Sequence, residues 1–189
     1  MKAFFNAPFR GKKIHGTYYE TIFRAIEKLG YNHLDRSIVE DNLETHYKKI
    51  TEGGGESYKQ FYDTTLGYLK TADVNIFECS FPSLGLGFQI EKSLEFNKPT
   101  IIIYLQNYTP FFLAGVKDEK LIFAKTTGKD VEKVLKKAFE EAKKRADKRF
   151  NFFISPYLLS YLNKVTKNQN ITKSMFIRGL ILEHMRSHQ

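Results

Sequence analysis

The chain has 189 residues, of which 42% are hydrophobic and 15% aromatic; this is enough to fill the core of one domain with a small additional unit, and it excludes a disordered protein. A single cysteine excludes an internal disulfide framework, and without thiol or histidine pairs at ligand spacing we expect no metal site and no cofactor. The net charge of +9 lies in residues 117–189, which carry 17 basic and 8 acidic side chains, whereas residues 1–116 carry 13 of each.

Membrane insertion and secretion are not indicated by the sequence. No apolar run approaches the ~20 residues that a membrane-spanning helix needs. The stretch MKAFFNAPFRGKK at the start lacks the apolar region of a signal peptide. We therefore expect a cytoplasmic protein that has no membrane partner.

Apolar patterning along the first three quarters of the chain predicts alternating strands and helices. The predicted strands are 2–7, 31–34, 74–79, 100–105 and 121–125, and the predicted helices are 17–30, 57–72, 87–97 and 130–148. Residues 37–56 contain three consecutive glycines and many polar residues, which is typical of a mobile loop or lid. The alternation predicts an α/β fold, a Rossmann/flavodoxin-like three-layer sandwich with a mostly parallel sheet.

The position of a ligand site follows from this fold class. Ligands of such sheets bind beyond the carboxyl ends of the strands, at a topological switch point. The loops NAPFRG and SFPSLGLG follow the first and third predicted strands. We expect these two loops to lie together and to form one pocket.

The remaining residues have a different pattern. The segment RFNFFI, from residue 149, alternates as a strand does, Ser155-Pro156 favours a helix start, and Thr172 or Ser174 is a suitable cap for a second helix. A strand and two helices of ~40 residues cannot close a core alone. The strand must pair, most simply with the same strand of a second chain, so we divide the chain into domains 1–147 and 148–189.

The stretch ADVNIFECSFPSLGLGFQIEKSLEFNKPTIIIY, residues 72–104, resembles the signature region of the nucleoside 2-deoxyribosyltransferase superfamily, in particular its branch of 2'-deoxynucleoside 5'-phosphate N-hydrolases. FFNAPFRG, residues 4–11, resembles the first strand and phosphate-side loop of that family. The resemblance covers roughly residues 2–140. It implies a nucleotide held over a helix N-terminus, with a glutamate that attacks or stabilises the anomeric carbon.

Three positions depart from the family pattern. Gln89 occupies the position of the nucleophilic glutamate, Thr65 that of an assisting aspartate, and Pro8 that of a serine in the first loop. An amide is a poor nucleophile and cannot balance developing positive charge. The catalytic residue is therefore unknown, and Glu78 and Asp63 are the candidates if activity persists.

The features that bind rather than react are retained. The resemblance implies a nucleotide-binding set made up of Asn6, Arg10, Ser83, Gly85, Gly87 and Gln89. Arg10 can pair with a phosphate, and glycines at a helix start let backbone N–H groups approach an anion. The alternative interpretation is that these glycines only make a tight turn and that Arg10 is solvated.

Residues 148–186 are similar to the ribbon-helix-helix family of DNA-binding domains, which includes the Arc and MetJ repressors. In that fold the paired strands of two chains lie in the major groove, which implies that Arg149, Asn151 and Phe153 face the bases. Thr172, Lys173 and Ser174 would direct the second helix's N-terminus at a phosphate. The alternative is a dimerisation module that does not bind DNA.

Taken together, these patterns favour a DNA-binding regulator that works as a homodimer or higher homo-oligomer. Its partners would be a nucleoside or nucleotide, bound by a catalytically degenerate first domain, and double-stranded DNA. The alternative is an active nucleoside or deoxynucleotide N-glycoside hydrolase or deoxyribosyltransferase, oligomerised by its C-terminal domain.

Overall fold

The computed structural model describes residues 1–146 and 151–188, and the chain divides into two compact units, Met1–Asp147 and Lys148–Gln189. The first unit contains five strands: β1 (Lys2–Asn6), β2 (Asn32–His33), β3 (Val74–Glu78), β4 (Thr100–Leu105) and β5 (Leu121–Thr126). Its helices are α1 (Lys12–Lys28), α2 (Ser37–Glu40), α3 (Leu43–Thr51), α4 (Gly55–Thr71), α5 (Leu84–Glu95), α6 (Phe111–Ala114) and α7 (Val131–Arg145), and Phe9–Gly11 form a 3-10 turn.

The five strands form one parallel sheet in the order β2-β1-β3-β4-β5. The predicted α/β sandwich with a parallel sheet is therefore confirmed. From β1 the chain forms β2 on one side of the sheet and then β3, β4 and β5 on the other side. The carboxyl ends of β1 and β3, where the direction of winding changes, are therefore the topological switch point.

Helices cover both faces of the sheet, because alternate side chains of each strand point to opposite faces. On one face, Phe5 and Ile76 pack with residues of α1 and α7, such as Ile22 and Leu135. On the other face, a second cluster includes Phe77 from the sheet, with Leu69 and Ile90 from α4 and α5. The strands are buried on both sides, which explains the continuous apolar run TIIIYL of β4.

Residues 37–56 correct the sequence-based expectation. The segment predicted as a mobile loop forms α2, α3 and the start of α4. Asn42 caps α3 by accepting a hydrogen bond from the Thr45 N–H at 2.8 Å. Gly54, with φ of 58°, provides the left-handed residue that joins α3 to α4.

The second unit contains α8 (Pro156–Asn168) and α9 (Lys173–Ser187). Ser155 caps α8 and Thr172 caps α9, each accepting from an N–H three residues further on. Residues 151–155, which belong to the strand predicted from the sequence, have no regular secondary structure. Only Leu162 and Thr166 are buried among the described residues of this unit.

Within the described residues, every helix falls short of the length and apolar character that crossing a bilayer requires.

Candidate functional site

A cleft of about 470 Å³ opens at the carboxyl ends of β1 and β3. Both loops singled out in the sequence line it, as do residues from α3 and α4. Of the six predicted nucleotide-binding residues, five line this cleft: Asn6, Arg10, Ser83, Gly85 and Gln89. The strand order therefore brings together residues more than 70 positions apart in the sequence.

Two amides meet at the centre of the predicted set. The Asn6 Nδ2 donates a hydrogen bond to the Gln89 Oε1 at 2.7 Å, and the Asn6 Oδ1 accepts from the Ala7 N–H at 2.9 Å. The Asn6 side chain is thereby fixed at the end of β1, and it orients Gln89. This bond uses the side-chain oxygen of Gln89, so the two N–H groups of the same amide can donate to a ligand in the cleft.

Helix α5 begins three residues earlier than the sequence predicted. Ser83 is its N-cap and accepts from the Leu86 N–H at 3.3 Å, so that Gly85 lies in the first turn and Gln89 in the second. A Cβ at Gly85 would meet nothing within 4 Å, so packing does not require this glycine. The first N–H groups of a helix lack intrahelical acceptors and suit an anion.

The other residues that match or replace residues of the family pattern differ in whether they line the cleft. Gly87 lines an adjoining groove instead of the cleft. Arg10 is exposed at the cleft, whereas Pro8 is buried in its wall. Thr65 also lines the cleft, and its hydroxyl donates to the Phe61 carbonyl oxygen within α4 at 2.8 Å.

Neither candidate for a substitute carboxylate lines the cleft. Glu78 is fully buried at the end of β3, where its Oε1 accepts from the Ser80 N–H at 2.9 Å. Among the described residues, neither the Glu78 Oε2 nor the Tyr19 hydroxyl makes a hydrogen bond of full geometry, although the two groups lie close enough for the hydroxyl to favour the ionised carboxyl. Burial raises the pKa of the Glu78 carboxyl above its usual value, against the opposing effect of the Ser80 hydrogen bonds. Asp63 is exposed on α4.

Sequence reasoning missed a carboxylate that does line the cleft, Asp35. The Ser37 N–H donates to the Asp35 Oδ1 at 3.1 Å, and the Ser37 hydroxyl donates to the Oδ2 at 2.7 Å. These two bonds fix the carboxylate just beyond β2. An Asp two residues before a Ser is a common local turn pattern, and only the fold places it in the cleft.

Sequence reasoning also missed the aromatic wall of the cleft. The His46 ring on α3 stacks on the Phe9 ring, with ring centroids 3.5 Å apart and an interplanar angle of 8°. His46 and Phe61 make an edge-to-face contact. Burial lowers the pKa of His46, so the stacked imidazole is neutral near pH 7. Flat apolar surfaces of this kind suit a planar ring.

Hydrogen bonds hold α2 and α3 against the cleft. The Lys12 ammonium donates to the carbonyl oxygens of Val39 and Asp41. Lys49 pairs with the Asp41 carboxylate at 2.7 Å. The segment predicted as a lid is therefore folded over the cleft and anchored to α1.

The predicted DNA-contacting residues lie in the second unit, except that Arg149 is outside the described residues. Asn151 and Phe153 are exposed. Thr172 accepts from the Met175 N–H at 3.1 Å as the cap of α9, and Lys173 and Ser174 form its exposed first turn.

No protein-family model matches the chain. A solved structure of a CMP N-glycosidase from Clostridium botulinum superposes with a TM-score of 0.48 and 17% sequence identity, covering 72% of this chain and 97% of that one.

Curated relatives share a common name. A protein of Thermofilum pendens, provisionally named 2'-deoxynucleoside 5'-phosphate N-hydrolase 1, is 30% identical over 106 residues, which are 56% of this chain and 69% of the relative. A protein of Methanococcoides burtonii with the same name is 23% identical over 105 residues, covering 56% of this chain and 81% of the relative. By this similarity, the chain belongs to the family of 2'-deoxynucleoside 5'-phosphate N-hydrolase 1 proteins.

Proposed function

We propose that the chain is a DNA-binding regulator whose first domain binds a nucleoside 5'-phosphate without cleaving it. In this proposal the second domain binds double-stranded DNA as a dimer. The observation that carries the proposal is the hydrogen bond between the Asn6 and Gln89 amides at the position where the family pattern has a carboxylate.

The cleft supports binding of a nucleotide through three kinds of contact. Arg10 and the first turn of α5, near Gly85, provide positive charge and N–H donors for a phosphate. Gln89 can donate a hydrogen bond to a sugar or base oxygen. The partly exposed His46 ring, backed by the buried Phe9 on which it stacks, provides a flat surface for the base.

Cleavage of the glycosidic bond needs a carboxylate, and at the position of Gln89 this cleft has an amide instead. The transition state resembles an oxocarbenium ion, and a carboxylate must stabilise it or attack it. Gln89 is neutral, and its oxygen is already hydrogen-bonded to Asn6. Glu78 is buried and held by the Ser80 N–H, so it cannot take over this role.

The second domain supports dimerisation and DNA contact. Its two capped helices leave large apolar side chains exposed in the single chain, including Tyr157, Leu158, Leu180 and Ile181. A second chain that covered these side chains would supply the missing core. The positive charge of residues 117–189 would then favour a polyanionic partner.

The test is to measure how deoxynucleoside 5'-monophosphates change DNA affinity. A short duplex selected from a random pool serves as the probe, and binding is followed by fluorescence anisotropy. We expect a nucleotide to change the affinity of the wild-type chain but not of Arg10→Ala. Lys13→Ala is the matched control, since it removes an exposed cation that does not line the cleft. Absence of a nucleotide effect in the wild type would refute the sensing role.

A second candidate function is N-glycoside hydrolysis, and the observation that favours it is Asp35. This carboxylate lines the cleft and is oriented by Ser37. If the chain releases free base from a deoxynucleotide, and Asp35→Asn abolishes the release while Asp63→Asn does not, the enzyme function replaces the regulatory one.

A further inference from the structure

One histidine pair in the second unit has the spacing of metal ligands. His184 lies in the last turn of α9, and His188, four positions further on, is the residue that caps the C-terminus of this helix. Side chains at positions i and i+4 of a helix lie on the same face, one above the other. The expectation of no metal site, drawn from the sequence, overlooked this pair.

The two imidazole rings lie close together. Their centroids are 4.1 Å apart, the interplanar angle is 38°, and both residues are exposed. Imidazole nitrogens bind zinc at about 2.1 Å, so two nitrogens on one ion lie roughly 3 Å apart. Rings at this separation can share one ion after small rotations about their side-chain bonds.

A hydrogen bond to the backbone selects the tautomer of His188. Its Nδ1 lies 2.9 Å from the His184 carbonyl oxygen, and because a carbonyl oxygen can only accept, the Nδ1 carries the proton. In the neutral ring the Nε2 then keeps its lone pair, which is the form that binds a metal ion. Histidines that ligate metals commonly donate their other ring N–H to a carbonyl oxygen or a carboxylate in this way.

The end of α9 also favours a cation. The last carbonyl groups of a helix carry partial negative charge, which attracts positive ions. Within the part of the chain that the structure describes, no third His, Cys, Asp or Glu joins the pair in a cluster that could enclose an ion. An ion at this position would have two protein ligands, and water would fill its other coordination positions.

We propose that His184 and His188 together bind one divalent transition-metal ion of the class Ni²⁺, Cu²⁺ and Zn²⁺, which joins the two side chains across the last turn of α9. Imidazole suits these metals, whereas Mg²⁺ and Ca²⁺ prefer oxygen ligands. Helix α9 has no buried residue, so its end depends on local contacts. A bridge between positions i and i+4 keeps this turn helical.

Calorimetric titration of the full chain with nickel chloride, after removal of any purification tag, tests the proposal. We expect one Ni²⁺ per chain and at least tenfold weaker binding in both His184→Ala and His188→Ala, because the second imidazole of a chelate binds at high effective concentration. His15→Ala is the control, since no histidine lies four positions from His15 in the sequence. This variant should bind Ni²⁺ as the wild type does.

A relocated histidine separates the geometry of the pair from the number of histidines. Arg186→His combined with His188→Ala keeps two histidines in α9 but places them two positions apart, where side chains do not face each other. Loss of the Arg186 charge by itself favours a cation, yet we expect Ni²⁺ binding as weak as in His188→Ala. Binding equal to that of the wild type would overturn the proposal.

Two further measurements locate the ion. Paramagnetic Cu²⁺, added below one equivalent, should broaden the amide NMR signals of residues 181–188 before those of His15, His33 and His46. Amide hydrogen exchange at the end of α9, read by mass spectrometry, should slow when Zn²⁺ is added to the wild type but not to His188→Ala. Equal broadening around the histidines of the first unit, or unchanged exchange in the wild type, would contradict a metal bridge on α9.

Discussion

Two side chains bear on the proposal that the cleft binds a nucleotide without cleaving it: Gln89 on α5 and Glu78 at the end of β3. Gln89 presents an amide whose oxygen is held by Asn6, so it can donate hydrogen bonds but cannot attack an anomeric carbon. Glu78 has the required carboxyl group, but it is buried below the cleft and shares its surroundings with Tyr19. Gly11 closes over this site, since a Cβ there would collide with the Tyr19 hydroxyl.

Glu78→Gln should stabilise the protein near neutral pH. Because the folded state raises the pKa of Glu78, the carboxyl costs nothing below its unfolded pKa and destabilises the fold increasingly as pH rises towards the folded value. Glutamine keeps the acceptor for the Ser80 N–H and removes a buried ionisable group. Urea denaturation at pH 5 and pH 8 should show a gain of about 1–3 kcal/mol that is larger at pH 8.

The same variant tests whether Glu78 takes part in nucleotide binding. Nucleotide affinity should be unchanged in Glu78→Gln, because Glu78 does not line the cleft. Asp63→Asn, an exposed substitution on α4, is the control for stability. A loss of stability in Glu78→Gln would show that the buried carboxylate is favourable and would contradict this description of the site.

Among the elements, α3 and the first turn of α5 each form a wall of the cleft. Helix α3 has no buried residue of its own and is held by the His46 stack on Phe9 and by the anchors on Lys12 and Lys49. Helix α5 is positioned by its packing through Leu86 and Ile90 and by the Ser83 cap. The first wall therefore depends on side-chain contacts that change with pH, and the second does not.

Acidification should loosen the α3 wall. The folded state lowers the pKa of His46, and of His33, below the usual value, so both contribute stability above about pH 6.5 that is lost as pH falls through the folded values. Between pH 7.5 and 5.5, urea denaturation should show decreasing stability. His46→Gln should reduce that decrease, and the exposed His184→Gln should not; equal slopes for all three proteins would contradict the prediction.

The α5 wall can be tested at Gly85. Gly85→Ala should keep or raise stability, by up to about 1 kcal/mol, because alanine favours a helix and its Cβ meets nothing there. The Cβ should nevertheless hinder a phosphate that approaches the first-turn N–H groups, and we expect at least tenfold weaker nucleotide binding by calorimetry. Gly67→Ala, in α4 and outside the cleft, is the matched control; equal nucleotide binding in both variants would exclude phosphate contact at this turn.

The sheet and the two cleft loops could be predicted because buried parallel strands leave continuous apolar runs, such as TIIIYL, and strand order brings their ends together. The helices of residues 37–51 were not predicted, because three consecutive glycines and many polar residues in the segment 37–56 outweighed the helical spacing of Leu43, Tyr47 and Ile50. The start of α5 was missed because Leu84 is 94% exposed and does not mark a buried face. Asp35 and His46 reach the cleft through tertiary packing, which local sequence does not encode.

The whole chain combines a nearly neutral first part with a strongly basic second part. Residues 1–116, which include every residue that lines the cleft, have no net charge, and the excess of +9 follows them. Within the basic part, residues 148–189 carry 7 basic side chains and 1 acidic side chain, which fits the proposal that polyanion binding belongs to the second domain. This excess of positive charge also makes DNA affinity the property most sensitive to salt.

For DNA binding, the logarithm of the affinity should fall linearly with the logarithm of salt concentration, since phosphate contacts release counterions. Lys173→Ala, in the first turn of α9, should reduce the magnitude of this slope by about one. Asn151→Ala should keep the slope and lower the preference for the selected duplex. Anisotropy titrations across a range of salt concentrations measure both, and an affinity that does not depend on salt would contradict DNA binding by this domain.

The central claim, that an uncharged amide in the cleft allows recognition without bond cleavage, is tested most directly by incubating the purified chain with each deoxynucleoside 5'-monophosphate. Binding is measured by calorimetry, and free base by chromatography of the same samples. We predict that at least one nucleotide binds, that Gln89→Ala weakens its binding, and that no free base accumulates. Catalytic release of base by the wild-type chain would contradict the account.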